Sequence, residues 1–321
     1  MKLLATFLGL LIVGVFSDEV IDYSGVKSRV ILENNYPWQP PFVAGGGVQG
    51  VDSSEHGVTP GRRTTSCLCG TANRGGGRIV GGKVHSRHKY NWIVGIASTQ
   101  APRNPFCGGT IISPWHVLTA AHCTMDSRSL VIIAGGYDRS GGEQVTIIAV
   151  RQIYDHPQFN RQVLHNDISI LFLVSPIPQS LHIGIICLPS RPGASLVGHV
   201  LKIIGWGAEQ FRGQMTRLPK EVYIHVMDLT SCRRVWQQLH TAGNQLCTLT
   251  PGGSACQGDS GGPVVWHNPE TNTYELAGAV SFGDSCNSNK PSIQTAVHSF
   301  LSWIHSIIQM TVPGQQTCQQ V

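Results

Sequence analysis

The sequence predicts an all-β fold, a barrel or sandwich of short strands closed by one helix. Apolar, β-branched runs at 130–134, 145–150, 168–174, 199–204 and 277–282 are separated by clusters of Gly, Pro, Asn and Ser, the pattern of many short strands with frequent turns. Near the end, Val297, Leu301, Ile304 and Ile308 recur at helical spacing, and Phe300, Trp303 and Ile307 widen the same stripe. This predicts a closing amphipathic helix whose apolar face packs on the core. A hydrophobic content of 41% in 321 residues supplies enough material for a sizeable core and more than one lobe.

At the start, Met1 and Lys2 precede an apolar stretch at 3–16, with Val15 and Ser17 at a plausible cleavage point. Residues 1–17 therefore read as a secretory signal, which places the chain outside the cell. The stretch is short for a bilayer span and no later one is long enough, so no membrane association is expected. Residues 18–78 read as a pro-region. Their first part, to about residue 66, is rich in Gly, Pro, Ser and Asn, as in Pro37-Trp-Gln-Pro-Pro41 and Gly45-Gly-Gly47. It keeps no helical or strand period, and with no cysteine before Cys67 it cannot build a disulfide-knotted module. The folded part is expected over 79–312, with a tail at 313–321.

The formal net charge is +5, only 13% of residues are charged, and no Lys/Arg cluster exists. Nucleic acid is not an expected partner. Ten cysteines in a chain with an export signal argue for an extracellular protein held by disulfides. Cys67-Leu-Cys69 as a metal site is the weaker reading, since no second ligand pair lies nearby. There is no Asn-x-Ser/Thr sequon.

Three segments carry chemistry: Leu118-Thr-Ala-Ala-His-Cys123, Asn166-Asp-Ile-Ser-Ile-Leu171 and Cys256-Gln-Gly-Asp-Ser-Gly-Gly-Pro263. A serine hydroxyl is a weak nucleophile until a base takes its proton, and the base needs a third group to hold its tautomer. Ser260, His122 and Asp167 fill those roles for acyl transfer. Taken singly, each has a plain structural reading, as a surface turn serine, a satisfied histidine and a turn aspartate. Small residues around Ser260 let the backbone turn tightly and approach a substrate.

With Ile79-Val-Gly-Gly82, these segments make four blocks in order, and over 79–308 the chain resembles the trypsin/chymotrypsin family of secreted serine endopeptidases. The resemblance implies two six-stranded antiparallel β-barrels with the active site in the cleft between them, His122 and Asp167 on the first and Ser260 on the second. It implies an oxyanion hole from the N–H groups of Gly258 and Ser260, and a role for Ser281 beside the aspartate. It also implies zymogen activation: an Arg-specific protease cuts after Arg78, and the new ammonium at Ile79 pairs with Asp259. Arg74 and Arg62-Arg63 are secondary cut sites. Protein and peptide substrates are the implied partners, together with protein protease inhibitors. No cofactor is implied, and no metal site either, since Gly136 stands where a first acidic calcium ligand belongs.

The same resemblance implies the disulfides Cys107–Cys123, Cys232–Cys247 and Cys256–Cys286. It further suggests that Cys187 reaches back to a cysteine before the activation site, for which Cys69 is preferred over Cys67. Cys67 and Cys318 are then paired by elimination. One family bridge is absent as a unit, with Leu201 and Trp266 in its two positions.

For specificity, Ser254 stands at the expected base of the substrate pocket, where a trypsin-like enzyme needs an acid. Gly283 leaves the entrance open, while Ser292 and Gln294 depart from the family's usual glycine and tyrosine. The reading is a chymotrypsin- or elastase-like preference for apolar P1 residues, with medium-sized ones such as Leu, Met or Ala ranked level with Phe or Tyr. Asp284 is read as a solvated loop residue that biases a more distant subsite only in a minor reading. Trypsin-like specificity, and a catalytically silent homologue that serves as a binding module, are the alternatives. The short segment before the activation site is similar to that of secreted arthropod proteases.

Overall fold

Among the described residues after residue 87, twelve strands of three residues or more are formed. The structure is a computed structural model that describes residues 29–30, 61–73, 83–84, 87–142, 144–236, 243–249, 255–284, 286 and 290–321. The expected signal segment 1–17, most of the pro-region, Arg74, Arg78, Ile79 and Ser254 lie outside the described residues.

The first six strands are β1 (Ile93–Ser98), β2 (Cys107–Ser113), β3 (His116–Thr119), β4 (Leu130–Ala134), β5 (Thr146–Asp155) and β6 (Ser169–Leu173). They pair in the order β5-β4-β1-β2-β3-β6, and a β5–β6 pairing closes the barrel. The second six are β7 (Val200–Gly205), β8 (Lys220–Met227), β9 (Gln245–Leu249), β10 (Pro263–Asn268), β11 (Thr273–Phe282) and β12 (Ser292–Ala296). Their order is β9-β12-β11-β10-β7-β8, closed by β8–β9. All these pairings are antiparallel. Two further two-residue strands join the edges, Arg29–Val30 beside β5 and Lys83–Val84 beside β8.

Closure leaves a sheet with no free edge, and it requires side chains to fill the interior. Ile96, Ile111, Val117, Ile132 and Leu171 fill the first barrel. Leu201, Ile203, Ile224, Val264 and Trp266 fill the second. A third cluster lies between them and draws Trp92, Leu118 and Ile168 from the first barrel and Ile204, Val265 and Leu276 from the second. The closing helix packs there. A 3₁₀ turn at Val297–Phe300 runs into an α-helix at Leu301–Thr311, and Ile304 and Ile308 are buried in the shared cluster.

Two strands extend beyond their sequence signal. β5 continues to Asp155, and its second half is half-buried or exposed, so it carries no apolar run. β11 begins at Thr273, where Thr273 and Glu275 are polar yet buried. Glu275 accepts hydrogen bonds from Ser190 N (2.8 Å) and Asn268 Nδ2 (2.6 Å), which makes burial of its carboxylate tolerable.

Five disulfides are formed, Cys107–Cys123, Cys232–Cys247, Cys256–Cys286, Cys69–Cys187 and Cys67–Cys318. The last two fasten the segment 61–73 to the body. The chain's end completes the attachment, with Ser66 N donating to Gln319 O (2.8 Å), Val321 N to Thr64 O (3.0 Å) and Leu188 N to Cys318 O (2.7 Å).

Where the family bridge is absent, Leu201 and Trp266 are both buried in the core of the second barrel. The Trp266 ring also meets His199 edge-on (5.8 Å) and the Arg191 guanidinium (5.2 Å). Trp266→Ala is expected to cost about 3–5 kcal/mol of stability, the range for removing a large buried aromatic, read from the midpoint of chemical denaturation. A loss under 1 kcal/mol rejects the view that packing replaces the bridge.

Candidate active site

His122 sits in a 3₁₀ turn, Ala121–Cys123, directly after β3. The disulfide to Cys107 ties that turn to β2. Asp167 precedes β6 and is 1% exposed. Its neighbour Asn166 adopts φ +53°, a left-handed conformation that asparagine tolerates, and accepts a hydrogen bond from Asn244 Nδ2 at 2.8 Å. The bend turns the carboxylate inward.

A buried carboxylate is stable as an anion only where donors surround it. His122 Nδ1 donates to Asp167 Oδ2 (2.7 Å) and His122 N to Oδ1 (2.9 Å). From the second barrel, Ser281 Oγ donates to Oδ2 (2.6 Å) and Thr295 Oγ1 to the backbone carbonyl of Asp167 (2.7 Å). Sequence reading missed Thr295. Its only signal was alternation along β12, which puts it on the opposite side from Gln294. The carboxylate fixes the imidazole with its proton on Nδ1 and leaves Nε2 as the basic nitrogen.

Ser260 lies in the turn before β10. Gly108 N, on β2, donates across the barrel seam to Ser260 O at 2.8 Å. Asp259 N, Gly261 N and Gly262 N are engaged by Cys256 O, Val280 O and Asp259 O. The N–H groups of Gly258 and Ser260 donate to no acceptor among the described residues. Gly258 has φ +96°, and a Cβ there would stand 2.5 Å from the end of the Met215 side chain. A substituted residue would therefore strain the turn that carries both donors.

Asp259 points away from the pocket, toward Gly207. Gly207 N donates to Oδ1 (2.8 Å) and Cys256 N to Oδ2 (3.0 Å). A Cβ on Gly207 would lie 2.1 Å from Oδ2, so the cradle needs glycine. Although the residue keeps some contact with solvent, desolvation of its carboxyl prevails over the two N–H donors and raises its pKa to about 6.

Beside Ser260 opens a pocket of about 270 Å³, lined among others by Gln257, Phe282, Gly283, Ser292 and Gln294. Gly283 faces Ser292 across it; a Cβ on Gly283 would come within 3.1 Å of Ser292 Cβ. No acidic residue is among its described lining. Asp284 is paired with Lys290 Nζ at 2.5 Å. The group of Cys107, His122 and Cys123 is close enough to hold a cation, but both sulfurs are in one disulfide.

Comparison with known proteins agrees with this geometry. The family model described as Trypsin matches residues 79–304. The chain is 29% identical to a venom serine protease of Polistes dominula, over 76% of this chain and 89% of that protein. It is 31% identical to the clotting factor G beta subunit of Tachypleus tridentatus, over 72% and 79%, and 32% identical to serine protease 56 of Homo sapiens, over 78% of this chain but 42% of that longer protein. A match across most of the twelve-stranded body, on a fold of two closed barrels, shows that the chain belongs to the trypsin family of serine endopeptidases.

Proposed function

We propose that the chain is a secreted zymogen, switched on by cleavage after Arg78, that hydrolyses peptide bonds beside neutral P1 residues through an acyl-enzyme on Ser260. One observation carries the catalytic assignment. His122 is fixed through Nδ1 on a buried carboxylate, while two unclaimed N–H groups flank Ser260. In this mechanism His122 Nε2 takes the Ser260 hydroxyl proton as Oγ attacks the scissile carbonyl carbon. The negative charge that develops on the carbonyl oxygen is met by Gly258 N–H and Ser260 N–H, a type of donor worth roughly 2.7–4 kcal/mol each in the transition state. Asp167 stabilises the imidazolium that results. The imidazolium gives its proton to the leaving amine, and water then attacks the acyl-enzyme by the same route.

The neutral P1 reading rests on the pocket. Ser254 supplies no charge, and none of the described lining residues is acidic. A buried cation there would lack a partner. The zymogen reading rests on Asp259, a carboxyl whose burial raises its pKa and which an ammonium at Ile79 would pair. The ten-cysteine, fully bridged body supports an extracellular site of action.

The primary test is hydrolysis of peptides varied only at P1 by protein cut after Arg78. Cleavage after neutral residues should fall about a million-fold in kcat in Ser260→Ala. Dominant cleavage after Arg rejects the pocket reading, and no cleavage by fully cut protein favours the silent homologue. Because Cys67 and Cys69 are bridged to Cys318 and Cys187, the cut light chain is expected to stay attached on a non-reducing gel. It should remain so in Cys69→Ser, through Cys67, and leave only on reduction.

A third expectation concerns pH. In the uncut chain the raised pKa of Asp259 means that the folded state holds the proton more tightly than the unfolded one. Stability from this group is therefore fully present below the ordinary value of 3.8 and is lost as pH rises through about 6. The Ile79 ammonium reverses the shift. The gain in Tm on cutting should be small at pH 4 and larger at pH 7, measured by calorimetry on cut and uncut protein. A gain independent of pH rejects the ion pair.

A further inference from the structure

A second cavity opens on the outside of the first barrel and shares no described lining residue with the pocket beside Ser260. Inner and outer positions alternate along a strand. Ile132 fills the barrel, so Ile133 on β4 faces outward, beside Gly95 on β1, which has no side chain to fill the space. Pro105, Val145 and Trp206 complete the apolar walls of a cavity of about 90 Å³, room for one apolar side chain. Trp206 Nε1 already donates to Tyr137 O (3.0 Å), so the indole asks for no polar partner.

The rim is cationic. Arg103 is exposed there, and Arg139 is half-buried. Arg139 Nη1 donates to Thr216 O (3.4 Å), and no carboxylate among the described residues pairs with the guanidinium. Desolvation accordingly lowers its pKa with no anion to offset the burial. Asp138, the one carboxylate in the described lining, is taken by Arg217 at 2.6 Å. An apolar hole beside an unanswered cation suits an apolar residue flanked by carboxylates.

The chain carries such a sequence within reach. Asp18-Glu-Val-Ile-Asp-Tyr23 sets Val20 and Ile21 among three acids. It lies outside the described residues, but the short strand after it is placed: Arg29 and Val30 pair with Thr146 and Ile147 of β5. The pairing is parallel, so the N-terminal direction of that strand points past Val145, a wall of the cavity. Six residue steps lead from Arg29 back to Tyr23, a reach of up to about 20 Å. A tether of that length gives an effective concentration on the order of millimolar, which fills even a weak site.

We infer that the segment Asp18–Tyr23 of this same chain docks in the cavity, with Ile21 in the apolar hole and the flanking carboxylates at the rim of Arg103 and Arg139. Because Cys67 and Cys69 are bridged to Cys318 and Cys187, the docked segment would stay on the body after a cut at Arg78. The contact is independent of the catalytic assignment.

The test uses the exported, uncut chain with Tyr23→p-benzoylphenylalanine. Irradiation, digestion and mass spectrometry are expected to join residue 23 to 99–106, 133–145 or Trp206 within one molecule. Attachment to any other segment overturns the inference, and so does no attachment at all. A cross-linked dimer on a denaturing gel also overturns it, since the segment would then seat on a second copy. Ile21→Ser should lower the yield at least about fivefold by removing the apolar group that enters the hole, and Arg139→Gln should lower it as well. An unchanged yield in Ile21→Ser, a substitution in the pro-region, overturns the inference even if Arg139→Gln fails to fold.

Discussion

The carboxylate of Asp167 is the group on which the two barrels agree. It belongs to the first barrel, yet one of its three donors comes from the second. His122 supplies two donors, Ser281 a third, and Thr295 fixes the adjacent carbonyl. A fully buried carboxylate is tolerable only with its donors in place, so a displacement of one barrel against the other would leave an anion without partners in a low dielectric. In the proposed mechanism, catalytic alignment and fold stability are thus the same requirement, since His122 would lose its orientation only at a penalty that the seam would feel.

The remaining seam follows this logic with different materials. Gly108 N reaches Ser260 O directly, so β2, which the Cys107–Cys123 disulfide ties to the histidine turn, also locates the Ser260 backbone. Farther out, Tyr90 donates to Glu221, Lys89 lies 3.3 Å from the same carboxylate, and Lys202 donates to Tyr274 at 2.8 Å. Apolar side chains from both barrels fill the space between, and the closing helix covers it. The segment 61–73 and the chain's end form a clasp on one side, fastened by two disulfides and by backbone hydrogen bonds at Ser66 and Val321. Under the proposed cut after Arg78, this clasp would keep the segment 61–73 attached to the body.

What was legible in the sequence is what simple patterns encode. Strands buried on an inner face, such as β4, are apolar runs and were readable almost to the residue. The outer half of β5 and the polar start of β11 were not, because the first faces solvent and the second buries polar residues that only tertiary partners satisfy. At the site, His122, Asp167 and Ser260 stood out by their local context. Thr295, Thr248 and Asn166 did not, since each acts through a partner far away in sequence. The substitution at Gln294 was visible as a departure from the family, but its hydrogen bonds to Thr248 and Ser292 were not. Its neighbour Ser292 looked like a steric stop until the hydrogen bonds to Thr248 and the amide placed it in a network.

Polar groups left wanting are informative only in context. Among the described residues, several buried side-chain atoms lack hydrogen-bond partners, among them Trp92 Nε1 and Thr110 Oγ1, both on residues with no exposed surface. Gln294 Oε1 is enclosed in the same way, although its residue is among those lining the space beside Ser260. Asp259 differs: it has two backbone N–H donors, yet desolvation prevails and raises its pKa. Asp167, by contrast, is complete as it stands. The fold therefore completes the Asp167 carboxylate from both barrels, whereas Asp259 is the buried carboxyl that, under the proposed activation, the Ile79 ammonium would pair.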